Sequence, residues 1–178
     1  MSDPPRVAAL CGSLRDDSYT RVALTTALAA AADTGAATTL LDLREYDLPR
    51  YDPDRQTPPA ADRLRGELRA ADSVLLGTPM YHGSYASPLK NALDYAGFDE
   101  FEHTTVGLTV CRAVNAWVIP HQVAIPNARS AFDDAGEGLA DEALAERIAV
   151  LGERAVEYAS IEPDAPAFAS EQNVGADG

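Results

Sequence analysis

The sequence predicts an α/β fold in which helices cover both faces of a doubly wound, mainly parallel sheet. Two observations support this prediction. Short apolar segments alternate with longer segments of helical periodicity, and the first apolar segment has no polar interruption, as in a strand buried on both faces. A chain of 178 residues, 46% of them hydrophobic, is also long enough for one domain with a full core.

The N-terminal half contains three predicted strands and two predicted helices. Five uninterrupted apolar residues, Val7 to Cys11, form the first strand. Apolar spacing and turn residues then predict the following elements. They are a helix over Thr20–Ala32, a strand over Thr38–Leu43, a long loop over Arg44–Pro59, a helix over Ala60–Ala71 and a strand over Ser73–Thr78.

The turn after the first strand has the composition of an anion site. Gly12 is followed by hydroxyl side chains and by Arg15, at the start of a predicted helix. Free backbone N–H groups and the helix dipole favour a phosphate there, and an arginine adds a charge-assisted contact. The spacing fits neither a nucleoside-triphosphate loop nor a dinucleotide fingerprint. Residues 12–21 alone also fit a strand that simply meets an N-capped helix, and Arg21 fits either a phosphate contact or a solvated position.

A second distinctive loop, Thr78–Ala86, follows the third predicted strand. Its apolar side chains, the close backbone approach that Gly83 allows and its small hydroxyls suit a planar ring system. Ser87 and Pro88 are expected to cap and begin the next helix. In the flavodoxin-like strand order 2-1-3-4-5, the first and third strands flank the point where the order reverses, and ligands bind there.

The C-terminal half is less regular. Thr105–Leu108 is the predicted fourth strand, and Trp117–Pro120 with Val123–Ile125 is the fifth. Thr109–Ala116 is shorter than the roughly ten residues that a parallel crossover needs. We therefore hypothesise that a loop and most of a helix are absent from the sequence between Leu108 and Thr109. A last helix over Asp141–Ala159, with Leu144, Ile148, Leu151 and Ala155 facing inward, completes a single domain, residues 1–160, and residues 161–178 form an acidic tail expected to be mobile.

The charge balance narrows the function classes. With 28 acidic and 14 basic residues the net charge is −14, and Lys90 is the single lysine. An acidic, lysine-poor surface is typical of adaptation to a salt-rich cytoplasm, that is, of a halophile. It argues against nucleic-acid binding, and no apolar run is long enough to predict a membrane span, so we expect a cytoplasmic protein. Cys11 and Cys111 lack metal or redox spacing and are expected to be buried free thiols.

The two loops together resemble the NADPH-dependent FMN reductase family, whose fold is flavodoxin-like with five parallel strands. The resemblance lies in Gly12-Ser13-Leu14-Arg15 with Ser18 and Arg21, and in Thr78-Pro79-x-Tyr81-x-Gly83-Ser84 leading into Leu89-Lys90-Asn91-Ala92-Leu93-Asp94. It implies FMN as the cofactor. The residues implied to hold the FMN phosphate are Ser13, Arg15, Ser18 and Thr20, and those beside the isoalloxazine are Pro79, Met80, Tyr81, His82, Gly83 and Ser84.

The resemblance also implies an enzyme. The expected activity takes hydride from NADPH or NADH and passes electrons to a small-molecule acceptor such as a quinone, a flavin, an azo compound or a metal oxyanion. The flavin supplies this chemistry, so no catalytic triad or metal site is expected, and relatives of this kind suggest a homodimer or homotetramer. A flavodoxin-type electron carrier without nicotinamide activity and a binding protein that has lost its flavin are the alternatives.

Overall fold

The computed structural model describes residues 3–97, 100–101, 105–106, 117–118, 121–125, 128–133 and 138–159. Its centre is a parallel sheet in which the first strand lies between the second and the third. The 2-1-3 part of the predicted strand order is therefore confirmed. The elements of this half are β1 (Arg6–Cys11), α1 (Tyr19–Asp33), β2 (Ala37–Asp42), α2 (Pro59–Arg69) and β3 (Ser73–Gly77).

The remaining elements are shorter, apart from the last helix. They are β4 (Met80–Tyr81), β5 (Ser84–Tyr85), α3 (Ser87–Tyr95), β6 (Thr105–Val106), β7 (Trp117–Val118), α4 (Ala128–Ala131) and α5 (Glu142–Ala159). Strand β6 pairs in parallel with β3, and β7 pairs in parallel with β6. Strands β4 and β5 form a separate antiparallel hairpin between β3 and α3.

Apolar side chains form one core on each face of the sheet. Successive side chains of a strand point to opposite faces, and β1 accordingly places Ala8 and Leu10 in one core and Val7 and Ala9 in the other. The first core is completed by side chains from α2 and α3, and the second by side chains from α1 and α5. The predicted arrangement, with helices on both faces of a parallel sheet, is confirmed.

Helix α5 packs against α1 more closely than its predicted inward-facing side chains indicated. Leu144, Ile148 and Ala155 are buried as expected, whereas Leu151 is only partly buried. Gly152 lies directly against Ala27 of α1: a Cβ atom on this glycine would lie 2.0 Å from the carbonyl oxygen of Ala27. The two helix backbones approach so closely because this residue carries no side chain.

Several predictions of detail were wrong or fall outside the described residues. Ser87 is not the N-cap of α3 but its first residue, and Ala86 precedes the helix without a side-chain cap. Val123–Ile125 is irregular rather than part of the fifth strand, and the β4–β5 hairpin was not predicted. The Leu108–Thr109 junction, Cys111 and residues 161–178 lie outside the described residues. Among the helices that are described, none has the length and apolar character needed to cross a bilayer.

Candidate functional site

Both loops singled out in the sequence leave the same edge of the sheet. Cys11 and Gly77 are register partners at the ends of β1 and β3, and the Gly12 N–H donates to the Gly77 carbonyl oxygen at 2.8 Å. A Cβ atom on Gly12 would lie 2.8 Å from the Cβ of Leu89. The first turn of α3 is therefore packed directly against the start of the phosphate-type loop, residues 12–18.

This loop exposes a run of unpaired backbone donors. Within the described part of the chain, the N–H groups of residues 14–17, 19 and 20 donate to no acceptor. Four of these groups belong to the loop, and the last two belong to the first turn of α1. Backbone N–H groups at a helix N-terminus, together with the helix dipole, form a site for an anion. The loop therefore has the donor set that a phosphate group requires.

Two of the predicted phosphate residues, Ser13 and Ser18, are buried beneath the loop, each 3% exposed. Ser18 is the N-cap of α1, and its hydroxyl accepts a hydrogen bond from the Arg21 N–H at 3.2 Å. Burial raises the pKa of the Cys11 thiol below them, although hydrogen bonds from Ser13 and Ser18 oppose that effect. The prediction that Cys11 is a buried free thiol is confirmed, and a raised pKa keeps it unreactive.

The two arginines of this region have different environments. Arg15 is exposed, and its side chain has no hydrogen bond or ion pair within the described residues. Every nitrogen of the Arg21 guanidinium, in contrast, donates to a protein acceptor: Nε to Asp42, Nη1 to the Asp16 carbonyl and Nη2 to the Arg15 carbonyl. Arg15 is thus the side chain available to an anion, and Arg21 is a structural residue of the loop.

The second loop folds into the β4–β5 hairpin and projects into solvent. His82 and Gly83 form its two-residue turn with φ angles of 51° and 77°, as a type I′ turn requires. Met80 and Tyr81 are 74% and 54% exposed, so this strand presents a broad apolar surface. The Thr78 hydroxyl accepts from the Ala86 N–H at 2.9 Å and fixes the base of the hairpin.

A groove of about 500 Å³ runs beside the phosphate-type loop. Leu14 from the loop and Pro88 from α3 line it, together with the segment after β2. Asn91 of α3 holds that segment by accepting from the Tyr51 N–H and donating to the Pro49 carbonyl, each at 2.8 Å. No local pattern in the sequence indicates this contact, because its partners lie about forty positions apart.

Among the described residues, the other titratable groups do not form a second centre. Lys90 pairs with Asp94 on the surface of α3. In the same part of the chain, no group of three or more His, Cys, Asp and Glu side chains is arranged to hold a metal ion. His82 is an exposed residue of the hairpin turn.

Comparison with known families gives the same assignment as these loops. Residues 5–115, more than half of the chain, match the family described as NADPH-dependent FMN reductase. The chain belongs to this family. Its fold is flavodoxin-like, as the sequence predicted.

Two curated relatives match about half of the chain. An NAD(P)H-dependent FMN reductase of Pseudomonas aeruginosa is 40% identical over 99 residues, which is 54% of this chain and 52% of that protein. A probable NADPH:quinone oxidoreductase of rice, Oryza sativa, is 40% identical over 96 residues, 51% of this chain and 49% of that protein. The match thus spans about half the length of these relatives.

Solved structures resemble the fold over most of the chain. FerB of Paracoccus denitrificans, a flavoenzyme NAD(P)H:(acceptor) oxidoreductase, has a TM-score of 0.64 at 24% identity and covers 87% of this chain and 97% of its own. An oxidoreductase of Corynebacterium diphtheriae has a TM-score of 0.68 at 18% identity and covers 88% and 97%. At these identities the likeness establishes the fold alone.

Proposed function

We propose that this chain binds FMN and passes electrons from NADPH or NADH to a small-molecule acceptor. The observation that carries the proposal is the set of N–H groups at residues 14–17, 19 and 20 that have no acceptor within the described residues, at the same sheet edge as the exposed hairpin. These donors fit a phosphate, and a broad apolar surface fits a flat ring. Membership of the FMN reductase family makes FMN the ligand that combines both parts.

The phosphate end of the site consists of Ser13, Arg15, Ser18 and Thr20. Arg15 supplies a guanidinium that has no partner within the described residues and can form a charge-assisted contact with the phosphate. Thr20 contributes an N–H from the first turn of α1 that has no acceptor in the same part of the chain. Ser13 and Ser18 are buried under the loop and contribute hydroxyl groups from the side of the protein. Because α1 begins directly after Ser18, its positive dipole end faces the same anion.

The ring end of the site is the segment Pro79–Ser84. Met80 and Tyr81 offer exposed apolar surface, and the backbone amides of the hairpin provide donors for the polar edge of the ring. When bound, FMN supplies the hydride and electron-transfer chemistry. The residues of this chain bind its phosphate, orient its ring and leave one ring face open to the nicotinamide and then to the acceptor. This role needs no general base or nucleophile.

The exposed apolar surface also supports self-association. Leu14 (56% exposed) and Tyr51 (46%) lie along the groove, and Met80 and Tyr81 lie on the hairpin of the same sheet edge. Exposed apolar clusters of this kind mark contact surfaces. We propose that a second copy of the chain covers them in a homodimer or homotetramer and forms one wall of the flavin site.

The names of the relatives and the net charge bear on the acceptor and on the cellular setting. The names of the curated relatives include quinone oxidoreductases and azoreductases, so quinones and azo compounds are the first acceptors to test. The net charge of −14 supports a cytoplasmic, salt-adapted protein that binds no nucleic acid or membrane.

We further propose that β6 and β7 continue the five-stranded order 2-1-3-4-5, within a single FMN-binding domain of residues 1–160 followed by a mobile tail.

Flavin reduction by each nicotinamide tests the proposal. The FMN-loaded chain should lose its yellow absorption under anaerobic NADPH or NADH and regain it on addition of menadione, with steady-state turnover when both substrates are present. Arg15→Ala should weaken FMN binding by about tenfold. Arg6→Ala, an exposed arginine at the start of β1 and thus at the opposite edge of the sheet, is the matched control and should bind FMN normally.

Two outcomes would contradict the proposal. A chain that binds FMN but is not reduced by either nicotinamide would instead be a flavodoxin-type electron carrier. A chain that leaves added FMN unbound in molar salt would be neither enzyme nor carrier.

A further inference from the structure

Asp42, at the end of β2, is a buried acid beside the phosphate-type loop. It is 4% exposed and is the register partner of Cys11, the last residue of β1 before that loop. Its carboxylate accepts from Arg21 Nε at 2.7 Å and from Arg44 Nη2 at 2.9 Å. A buried carboxylate with two arginine partners is costly to desolvate. Its local role at the end of the strand, accepting the Arg44 backbone N–H at Oδ1 at 3.1 Å, does not require a charge.

Arg21 connects this acid to the loop. While its Nε donates to Asp42, its Nη1 and Nη2 donate to the carbonyl oxygens of Asp16 and Arg15 at 2.8 and 3.0 Å. The planar guanidinium fixes these three acceptors in one geometry, which a lysine cannot reproduce. The orientation of two peptide groups in the loop therefore depends on the Asp42 carboxylate.

The orientation of those peptide groups determines where their donors point. In a trans peptide the N–H points away from the C=O of the same peptide group. Because the Arg15 and Asp16 carbonyls face Arg21, the N–H groups of Asp16 and Asp17 face the opposite side, and neither has an acceptor within the described residues. These two N–H groups belong to the donor set proposed for the phosphate.

Arg44 also connects Asp42 to the same loop. It binds Asp42 and also reaches the Asp16 carboxylate, with Nη1 3.1 Å from Oδ1. Asp16 is a negative side chain in a loop proposed to hold a phosphate, so its pairing with Arg44 reduces the repulsion that a bound anion would meet. The Asp16 side chain is 99% exposed, so this second contact is the weaker of the two.

We propose that Asp42 and Arg21 are positioning residues that preorganise the loop amides for the FMN phosphate and so set the preference of the site for FMN over riboflavin. The inference rests on the proposed function. Neither side chain touches the phosphate; Asp42 orients Arg21, and Arg21 orients the peptide groups that do. Preorganisation of this kind increases affinity because the donors need no rearrangement when the ligand arrives.

The affinities for FMN and for riboflavin, measured by quenching of flavin fluorescence, test this inference. Asp42→Asn keeps the shape of the side chain and removes its charge, and Arg21→Lys keeps the charge and removes the planar fork. Each should weaken FMN binding by at least about tenfold and leave riboflavin binding within about twofold of the wild type. FMN and riboflavin differ only in the phosphate, so a change in the ratio of the two affinities reports on the phosphate site. A general loss of stability would weaken the binding of both ligands and leave that ratio unchanged.

Arg65→Lys is the matched control. Arg65 pairs with the fully buried Glu100 at 2.7 Å, and it lies in α2, outside the phosphate-type loop. This variant should lower the melting temperature without changing the FMN-to-riboflavin ratio. If Asp42→Asn does not fold, the Arg21→Lys ratio alone decides the inference.

The inference is overturned if the folded variants retain the wild-type ratio, or if their affinities for both flavins fall in parallel. A wild-type chain that binds riboflavin as tightly as FMN also overturns it, while leaving flavin binding itself intact. A wild-type chain that binds neither flavin refutes the proposed function, and the inference with it.

Discussion

The contact between Gly12 and Leu89 leads to a quantitative prediction for Gly12→Ala. The added Cβ atom would lie 2.8 Å from the Cβ of Leu89 and 3.2 Å from the Gly77 carbonyl oxygen. Carbon atoms pack at about 3.5–4.0 Å, so α3 or the loop must move by about 1 Å. Leu89 Cβ is fixed to the helix backbone and cannot rotate away. Overpacking of this kind costs about 1–3 kcal/mol in the free energy of unfolding.

Thermal unfolding followed by circular dichroism measures this cost. For a chain of this length a loss of 1–3 kcal/mol lowers the melting temperature by about 2–12 °C. FMN affinity should fall as well, because Ser13 and the free N–H groups directly follow the displaced residue. The apoprotein should therefore lose stability, and the stabilisation that added FMN gives should shrink at the same time.

Gly66→Ala provides the matched control with the same change in side chain. Gly66 lies in α2 with nothing within 4 Å of an added Cβ, so the substitution should raise stability by about 0.4–1 kcal/mol. Its FMN affinity should stay at the wild-type value. This prediction is wrong if Gly12→Ala is as stable as Gly66→Ala, or if the two variants bind FMN equally well.

Four further predictions concern packing, the hairpin, acid and salt. Gly152→Ala should destabilise the chain by about 3 kcal/mol or more, because its Cβ would lie 2.0 Å from the Ala27 oxygen; a melting temperature within 1 °C or so of the wild type would contradict this. His82→Asn should favour the turn with its φ of 51° and slow hydrogen exchange in the Met80–Tyr85 hairpin, whereas faster exchange would count against a type I′ turn. Burial alone would raise the pKa of Asp42, but hydrogen bonds from the neighbouring arginines outweigh it and lower that pKa. The stabilisation from Asp42 is therefore present above its unfolded-state pKa of about 3.9 and lost as pH falls through the lower folded-state pKa. In urea unfolding, Asp42→Asn should thus be less stable than the wild type at neutral pH, and a gap that fails to narrow in acid would contradict the assignment. Finally, molar KCl should raise the melting temperature of this chain of net charge −14 by screening its self-repulsion; a fall would contradict salt adaptation.

The regular elements near the site could be predicted because their signals are local. The uninterrupted run at Val7–Cys11 and the apolar spacing of the first helix specify their own structure, and parallel pairing then brings the two loops to one sheet edge. The boundaries of the helices were harder to predict. Ser87 before Pro88 resembles a helix cap, yet the helix already includes Ser87, since Pro is tolerated throughout the first turn.

Long-range contacts could not be predicted, because they leave no periodic pattern in the sequence. Asp42 and Arg21 are separated by 21 positions, and nothing in either neighbourhood indicates that one partners the other. The turn of the hairpin was missed for another reason. Asn-Gly is the strong signal for a type I′ turn, and His82-Gly83 is a weaker form of it, because asparagine, aspartate and glycine rather than histidine are the preferred first residues of this turn.

A crystal structure of the chain with FMN would show whether one FMN molecule contacts both loops. We expect the phosphate to accept hydrogen bonds from the backbone N–H groups of residues 14–17, 19 and 20 and from Arg15, with the ring against Pro79–Ser84. Arg21 should keep its bonds to Asp42 and to the loop carbonyls. FMN bound elsewhere, or bound with its phosphate away from this loop, would contradict the proposed site.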